Sequence, residues 1–521
     1  MVLLVACGEQ AIETLPAPNV ILIVADDLGY TDLGRFGSEI ETPNIDALAR
    51  DGITLTNFHA NATCTPSRAM LLTGIDNHAV GFGANPGVAN RVPEIKGKPG
   101  YVGEFRSGVL SLASRFKTAG YATLQVGKWH LGSNKSSWPP AQGYDRSFYL
   151  VEGGASHFSD GSGTLSHEDP VEYWEHEERV ENLPDDFFSS TFYTDKIISY
   201  IDDPVREDQP YFAHVAFTAP HWPLQAPDEW LDKYNGRYEQ GWLATRSERL
   251  QRMAALGLVN EKAILAPLPE ALGVWEQLSD DEMRVETRRM EIYAAMIAHL
   301  DHEVGRLLDF LKRSGQYDNT IIVFLSDNGP EGNDVMQIRD NAEWVPTRFD
   351  LSYESMGTKG SYTLLGRGWA HVSAGPFSMY KSFLSEGGSR VPLIVKLPEQ
   401  ASSGSVSDEL LSIIDIAPTA LDAAGIEIDK KWPMQGVSFA ATLVDGMNDL
   451  SREDPVAFEM YGGRSIFRDD WKLSWLGPPS GTGEWELFNL ASNPGETLNL
   501  ADKRPDVALE LERAWGDFAA E

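Results

Sequence analysis

The sequence predicts an α/β fold: a large, mostly parallel, mixed β-sheet between helices, plus a small C-terminal domain with an antiparallel sheet and a packed helix. Three observations predict it. Apolar runs such as Asn19–Ala25 (NVILIVA) are continuous rather than alternating, as in strands covered on both faces. Such runs alternate with amphipathic helical stretches along most of the chain. From about residue 440 the pattern changes to short strands separated by turns and followed by one helix.

Taken in order, Asn19–Ala25 ends abruptly in Asp26-Asp27. Thr42-Pro43 opens a helix to about Arg50, with threonine as N-cap and proline at the first helical position. Pro66 suits the first turn of a helix over Ser67–Leu72 that stops near Gly74. Ser111–Ala119 is amphipathic and leads to a strand near Ala122–Val126. Tyr211–Phe217 and Thr320–Leu325 are two more buried strands. Between them, Met290–Lys312 carries Ile292, Met296, Leu300, Val304, Leu307 and Leu311 at helical spacing. Past 440, Val456–Glu459, Ser465–Arg468, Trp471–Trp475 and Glu484–Leu487 read as short strands, and Pro505–Ala519 as the closing helix. The expected division is a tail or signal remnant at 1–17, a catalytic domain at 18–440 and a small α+β subdomain at 441–521. A charged stretch at about 236–286 reads as an exposed helical insertion.

Composition narrows the function. The 521 residues include 77 acidic and 43 basic ones, a net charge of −34, which argues against a nucleic-acid partner. An enzyme of such charge that handles anions needs a locally positive pocket. The chain has two cysteines, Cys7 and Cys64, so no disulfide framework is implied. Leu4-Val5-Ala6-Cys7 resembles a bacterial lipobox, although a basic segment and most of an apolar core are missing before it. On that reading Cys7 carries a lipid anchor and the protein is periplasmic; without it, a cytoplasmic protein is expected. No other run approaches the ~20 apolar residues of a spanning helix.

The chemistry centres on Cys64-Thr65-Pro66-Ser67-Arg68. A group at a helix start faces unpaired N–H donors and the positive end of the dipole, a place for an anion. Arg68, one turn in, adds a planar fork of donors for an oxyanion. Alone, Cys64 would read as a buried thiol beside a helix cap. Asp26-Asp27 and Asp327-Asn328 both follow apolar strands, and ligands gather beyond the carboxyl ends of such strands. Either pair alone would read as a helix cap or surface turn. Together they supply hard oxygen donors with surplus negative charge, which suits Ca²⁺ and, less well, the geometrically stricter Mg²⁺. Asn61-Ala62-Thr63 matches a glycosylation sequon but abuts Cys64 and reads as incidental.

Cys-x-Pro-Ser-Arg resembles the signature of the type I, formylglycine-dependent sulfatases, and Ala69-Met-Leu-Leu-Thr-Gly74 continues it as in that family. Further matches follow in the family's order. They are Asp26-Asp27, Gly127-Lys128-Trp129-His130-Leu131-Gly132, Pro220-His221-Trp222-Pro223, Ser326-Asp327-Asn328-Gly329 and Lys381 ahead of Glu386-Gly-Gly. The resemblance runs from about residue 18 to the C-terminus and is greatest to bacterial arylsulfatases. It implies an alkaline-phosphatase-like sandwich and a maturation enzyme, a transient partner, that converts Cys64 to formylglycine. It implies Ca²⁺ held by Asp26, Asp27, Asp327, Asn328 and modified Cys64. One hydroxyl of the hydrated aldehyde attacks sulfur, with Asp327 as base. Arg68, Lys128 and Lys381 neutralise the sulfate oxygens, and His221, or Lys381, protonates the departing oxygen. His130 takes the second hydroxyl's proton from the covalent sulfate ester, and sulfate leaves. Single lysines and histidines usually have blander roles; these gain weight from their motifs. Lys128, His221 and Lys381 are also expected to bind substrate, and His157 in Gly153-Gly-Ala-Ser-His157 to line the pocket.

The expected activity is therefore that of an arylsulfatase, acting as a monomer on a small sulfate ester. A phosphonate monoester or phosphodiester hydrolase of the same superfamily is the alternative. A non-catalytic lipoprotein that binds sulfated glycans is a remote one, and the intact residue set argues against it.

Overall fold

The chain is seen in a computed structural model. It describes residues 16–520 apart from 86–87, 89–91, 94, 205–208, 261–262, 339, 399–402, 432, 446–451, 453 and 479. Cys7 and its lipobox lie outside the described residues.

Twelve strands precede the C-terminal sheet: β1 (Asn19–Ala25), β2 (Ile53–Leu55), β3 (Phe58–His59), β4 (Ala122–Lys128), β5 (Arg146–Leu150), β6 (Tyr173–Glu175), β7 (Glu178–Arg179), β8 (Tyr211–Ala216), β9 (Thr320–Ser326), β10 (Leu393–Lys396), β11 (Val406–Ser407) and β12 (Leu411–Ser412). Ten form one sheet, in the order β11-β2-β10-β9-β1-β8-β4-β5-β6-β7. The run β9-β1-β8-β4-β5 is parallel throughout; β10 is antiparallel to both its neighbours, and β6 and β7 form an antiparallel edge. The continuous apolar run of β1 has the cause inferred from sequence. Ile21, Ile23 and Ala25 enter one core, and Val20, Leu22 and Val24 enter the other. The first core packs on the helix Asp280–Arg313, the second on the helix Cys64–Thr73.

Several boundaries differ from expectation. Asp280–Arg313 starts ten residues before Met290, because Ser279 and Glu282 form a reciprocal capping box. The helix at Thr42 starts as expected, but the Thr42 side chain does not cap it. Asp301 accepts from the Asn44 and Ile45 amides instead, at 3.0 and 2.8 Å. The stretch 236–286 is exposed in part and buried in part. Its helix Gly241–Ala255 sinks Trp242 among Trp275 and Trp369. Arg249 is buried on Asp32 and Glu39, at 2.7 and 2.8 Å, and Arg246 donates to the carbonyls of Ala266, Gly375 and Phe377. Arg246 and Arg249 are thus buried among partners while charges such as Glu239 and Asp281 face solvent, and only the end of the stretch, from Asp280, joins the long helix.

Toward the C-terminus, β13 (Val456–Met460), β14 (Gly463–Arg468), β15 (Trp471–Trp475) and β16 (Trp485–Asn489) form an antiparallel sheet in that order. Ile466, Leu473 and Leu487 meet Leu511 and Trp515 of the helix Pro505–Ala520. Val456, Phe458, Phe467 and Phe488 on the other face join the second core of the large sheet. Buried Lys472 pins this sheet down, 3.0 Å from Glu386 and 2.8 Å from Glu496.

His78 adds a titratable clamp. Its Nδ1 lies 3.2 Å from Asp76 and its Nε2 2.6 Å from Glu459 on β13. Burial works against its charge, but the two carboxylates prevail and raise its pKa to about 9. A raised folded value gives stability that is full below the unfolded pKa, near 6.5, and is lost as pH rises through about 9. His78→Gln is therefore expected to lower the melting temperature near neutral pH. The gap to wild type should narrow by about pH 10 in a thermal series.

Candidate active site

The strands deliver the site residues to one rim. Asp26 and Asp27 follow β1, Asp327 and Asn328 follow β9, Lys128 ends β4 with His130 two residues on, and His221 lies past β8. Register sets the central pair: Ala25 faces Ser326, so the next residues, Asp26 and Asp327, emerge side by side. The Asp27 amide donates to Asp327 Oδ1 at 3.3 Å. Asp27 and His130 both have left-handed backbones, φ 65° and 57°, uncommon outside glycine. Each chain thus turns sharply at its strand end, where function can sustain such strain.

The helix Cys64–Thr73 begins at Cys64 itself, three residues before the expected Ser67, with Thr63 extended. Pro66 still falls in the first turn, where a missing N–H costs no helical bond. Cys64 Sγ lies 3.6 Å from Asp26 Oδ1 and 3.9 Å from Asp27 Oδ1. Arg68 reaches back across the same rim. Its Nε donates to Asp327 Oδ2 at 2.8 Å and its Nη1 to the Lys128 carbonyl at 3.2 Å. Among the described residues its buried Nη2 has no hydrogen-bond partner.

Two lysines close over the acids. Lys128 Nζ lies 2.7 and 2.9 Å from the Asp26 oxygens, and Lys381 Nζ 2.8 and 2.9 Å from those of Asp27. The Lys381 segment is wedged in by backbone. Its amide donates to the Pro330 carbonyl and that of Ser382 to Ala62. A Cβ on Gly329 would stand 2.1 Å from the Gly387 carbonyl oxygen, so the Asn328-Gly329 and Gly387-Gly388 turns need glycine to meet.

Both histidines rest on Gly153-Gly154, just past β5. A Cβ on Gly153 would come within 2.7 Å of the His130 ring, and one on Gly154 within 2.9 Å of the His221 ring. His221 Nδ1 donates to the Trp222 carbonyl at 2.7 Å, which leaves Nε2 to face Asp27 Oδ2 at 3.6 Å. Among the described residues, buried His130 Nδ1 has no partner. His157 does not line the site as expected. Its Nε2 donates to the His221 carbonyl at 3.0 Å and its Nδ1 pairs with Ser189 Oγ at 2.8 Å. Both ring nitrogens are spent on protein, so His157 positions the His221 turn from behind.

Electrostatics separate the acids. Burial would raise Asp27, but Lys381, His221 and Lys128 overcome it and hold the pKa near 2. For Asp327 burial prevails over Arg68, with help from Asp26, and lifts it to about 6. Burial also pushes the Cys64 thiol up, beyond what Lys128 and Lys381 can offset. His130 and His221 are both lowered, first by burial and then, for His130, by Lys128 and Arg68.

This donor set fits a hard divalent cation. Asp26, Asp27, Asp327 and Asn328 are at most 1% exposed, and Asn328 Oδ1 is a buried acceptor with no partner among the described residues. One atom each of Asp26, Asp27, Cys64 and His221 also lies within 4.8 Å of the others. We favour the oxygen set for such an ion, because imidazole and thiol are softer donors.

Glu331 escaped the reading from sequence. It lies 3.6 Å from Lys381 Nζ, and burial raises its pKa against the pull of Lys381. Its only signal was adjacency to Asp327-Asn328-Gly329-Pro330.

Comparison with known proteins places this arrangement. The family model described as "Sulfatase" matches residues 18–426. A model for the C-terminal part of N-sulphoglucosamine sulphohydrolase matches residues 375–514. An uncharacterized sulfatase of Schizosaccharomyces pombe is 37% identical, over 97% of this chain and 94% of that protein. An arylsulfatase of Klebsiella aerogenes is 38% identical, over 81% of this chain and 91% of its own length. Among solved structures, Ps i-CgsB in complex with k-i-k-neocarrahexaose aligns with a TM-score of 0.70. That alignment covers 96% of this chain and 92% of the other, and at 23% identity it speaks for the fold.

Proposed function

Because the chain belongs to the sulfatase family, and so to the hydrolases of sulfate esters, we propose that it is an arylsulfatase whose nucleophile is made by oxidising Cys64. One observation carries the reading. Cys64 sits at the helix start against Asp26 and Asp27, yet burial keeps it a thiol. A protonated thiol is a poor nucleophile and a poor ligand for a hard cation. An oxygen at the same place, as in formylglycine, would serve both needs. Identity to the Klebsiella arylsulfatase supports the aryl preference.

Asp26, Asp27, Asp327 and Asn328 would hold Ca²⁺, which supplies a Lewis acid for the sulfate oxygens and for the nucleophilic oxygen. The remaining work belongs to the chain. Arg68, Lys128 and Lys381 converge on the rim and offset charge on the sulfate oxygens. Asp327, with its raised pKa, takes the proton from the attacking hydroxyl at residue 64. With the anionic ester bound, its charge opposes the effect of burial and His221 carries a proton on each ring nitrogen; Nε2, fixed by the bond at Nδ1, gives its proton to the departing aryl oxygen. His130, kept neutral by burial and neighbouring cations, accepts the proton that accompanies sulfate release.

Turnover of 4-nitrophenyl sulfate should exceed that of an aryl phosphonate, a phosphate diester and a hexosamine 6-sulfate by roughly a hundredfold in kcat/KM. Faster phosphonate or diester turnover would favour the hydrolase alternative and overturn the assignment.

A further inference from the structure

The two-residue turn Tyr461-Gly462 joins β13 to β14, and Met460 pairs with Gly463 across it. Both turn residues have positive φ, 53° for Tyr461 and 86° for Gly462. Such hairpin turns favour Asn-Gly, Asp-Gly or Gly-Gly, and a bulky aromatic at the first position is an outlier. Nothing in the turn itself calls for a ring there.

The surroundings do. The turn lies against the loop that leads into Cys64: Asn61 Nδ2 donates to the Glu459 carbonyl at 3.3 Å, and Thr63 Oγ1 to Met460 Sδ at 3.2 Å. On its other side, Gly463 approaches Leu384 of the Lys381 segment. Tyr461 follows Met460 directly, so the turn it opens stands next to Thr63, the residue before Cys64. The residue as a whole nevertheless remains 40% exposed. The turn is anchored beside the nucleophile position while Tyr461 itself stays open to solvent.

We propose that Tyr461 is a specificity-determining residue, whose open ring stacks on the aromatic leaving group of the sulfate ester. The inference rests on the arylsulfatase reading and adds the surface that recognises the aryl group. An apolar, flat face beside a charged cradle suits a substrate with one sulfate and one ring. The small C-terminal sheet thereby contributes to substrate choice as well as to packing.

The test uses the mature full-length enzyme with 4-nitrophenyl sulfate and a short alkyl sulfate. Tyr461→Asn removes the ring yet keeps a residue that tolerates the left-handed backbone. Tyr461→Phe keeps the ring and removes the hydroxyl. Tyr461→Asn is expected to raise KM for the aryl ester about tenfold, with kcat little changed and KM for the alkyl ester unmoved. Tyr461→Phe should stay within about twofold of wild type for both esters. An aryl KM that does not change in Tyr461→Asn, or equal rises for both esters, overturns the proposal while wild-type aryl preference stands. A wild-type enzyme without aryl preference overturns this proposal together with the arylsulfatase reading.

Discussion

Cys64→Ala is expected to fold like the wild type and to lose sulfate-ester turnover by roughly 10⁴-fold or more. Both halves follow from position. Cys64 is 1% exposed and starts a helix whose remaining contacts, from Ser67 to Thr73, do not involve the thiol. Removing one sulfur atom there leaves the second core intact. Catalysis is another matter. Arg68, Lys128, Lys381 and His221 would still bind and polarise an ester, but the group proposed to attack sulfur is gone. Cys64→Ser separates this from a simple loss of side chain. It supplies one hydroxyl without the second that expulsion of sulfate requires, so it should stall after at most one turnover with sulfate attached. A denaturation curve, a multiple-turnover assay and the mass of the Cys64→Ser protein after exposure to substrate check all three statements. Unchanged turnover in Cys64→Ala would sink the covalent mechanism.

Asp27→Asn carries the second largest effect, roughly 10²- to 10³-fold in kcat/KM. Asp27 is the hub of the site. It accepts both hydrogen bonds of Lys381, receives Asn328 Nδ2 at 2.7 Å and faces His221 Nε2. Its amide variant offers one oxygen without charge, weakens the hold on a divalent cation and leaves the Lys381 ammonium underpaired in a buried place. Withdrawing the cation from wild type with a chelator should produce a comparable loss, reversed by Ca²⁺ more fully than by Mg²⁺. Bound calcium per chain, measured with turnover, should be near one in the wild type and depleted in Asp27→Asn. Full activity after exhaustive chelation would refute the metal part of the reading.

The legibility of this site in the sequence has a physical basis. Asp26-Asp27 and Asp327-Asn328 each follow a strand directly and Lys128-Trp129-His130 begins on the last residue of one, so one-dimensional adjacency converts into a shared rim once the strands align. Cys64 and Arg68 are one helical turn apart and need no tertiary information. Other features depended on long-range packing. His157 has a suggestive Gly-rich context, yet its ring nitrogens are captured by Ser189 and His221. Arg246 and Arg249 read as solvent-facing because charge is usually exposed, while their carbonyl and carboxylate partners come from distant segments. Tyr461 was invisible for the same reason: the antiparallel sheet was legible from about residue 440, but not which of its turns meets Cys64.

The C-terminal sheet is tied to the site by more than apolar contact. Glu386, next to the glycines that hold the Lys381 segment, is buried against His59 at 3.1 Å and Lys472 at 3.0 Å. Glu496 accepts from the Glu386 amide at 2.8 Å and from Ser378 at 2.6 Å. The segment that aims Lys381 is therefore fastened from both sides. Rigid support of this kind keeps charged groups in place for a transition state rather than letting them follow solvent.

The central claim is that the nucleophile is not the thiol of Cys64 but an aldehyde made from it. The most direct measurement is the mass of the proteolytic peptide that spans Cys64, taken from preparations made with and without a formylglycine-generating enzyme, alongside their turnover of 4-nitrophenyl sulfate. The account predicts that turnover rises in proportion to the fraction of peptide carrying the aldehyde mass. Preparations should fold alike whatever that fraction is. Full turnover from a preparation whose peptide carries only the thiol mass would contradict it.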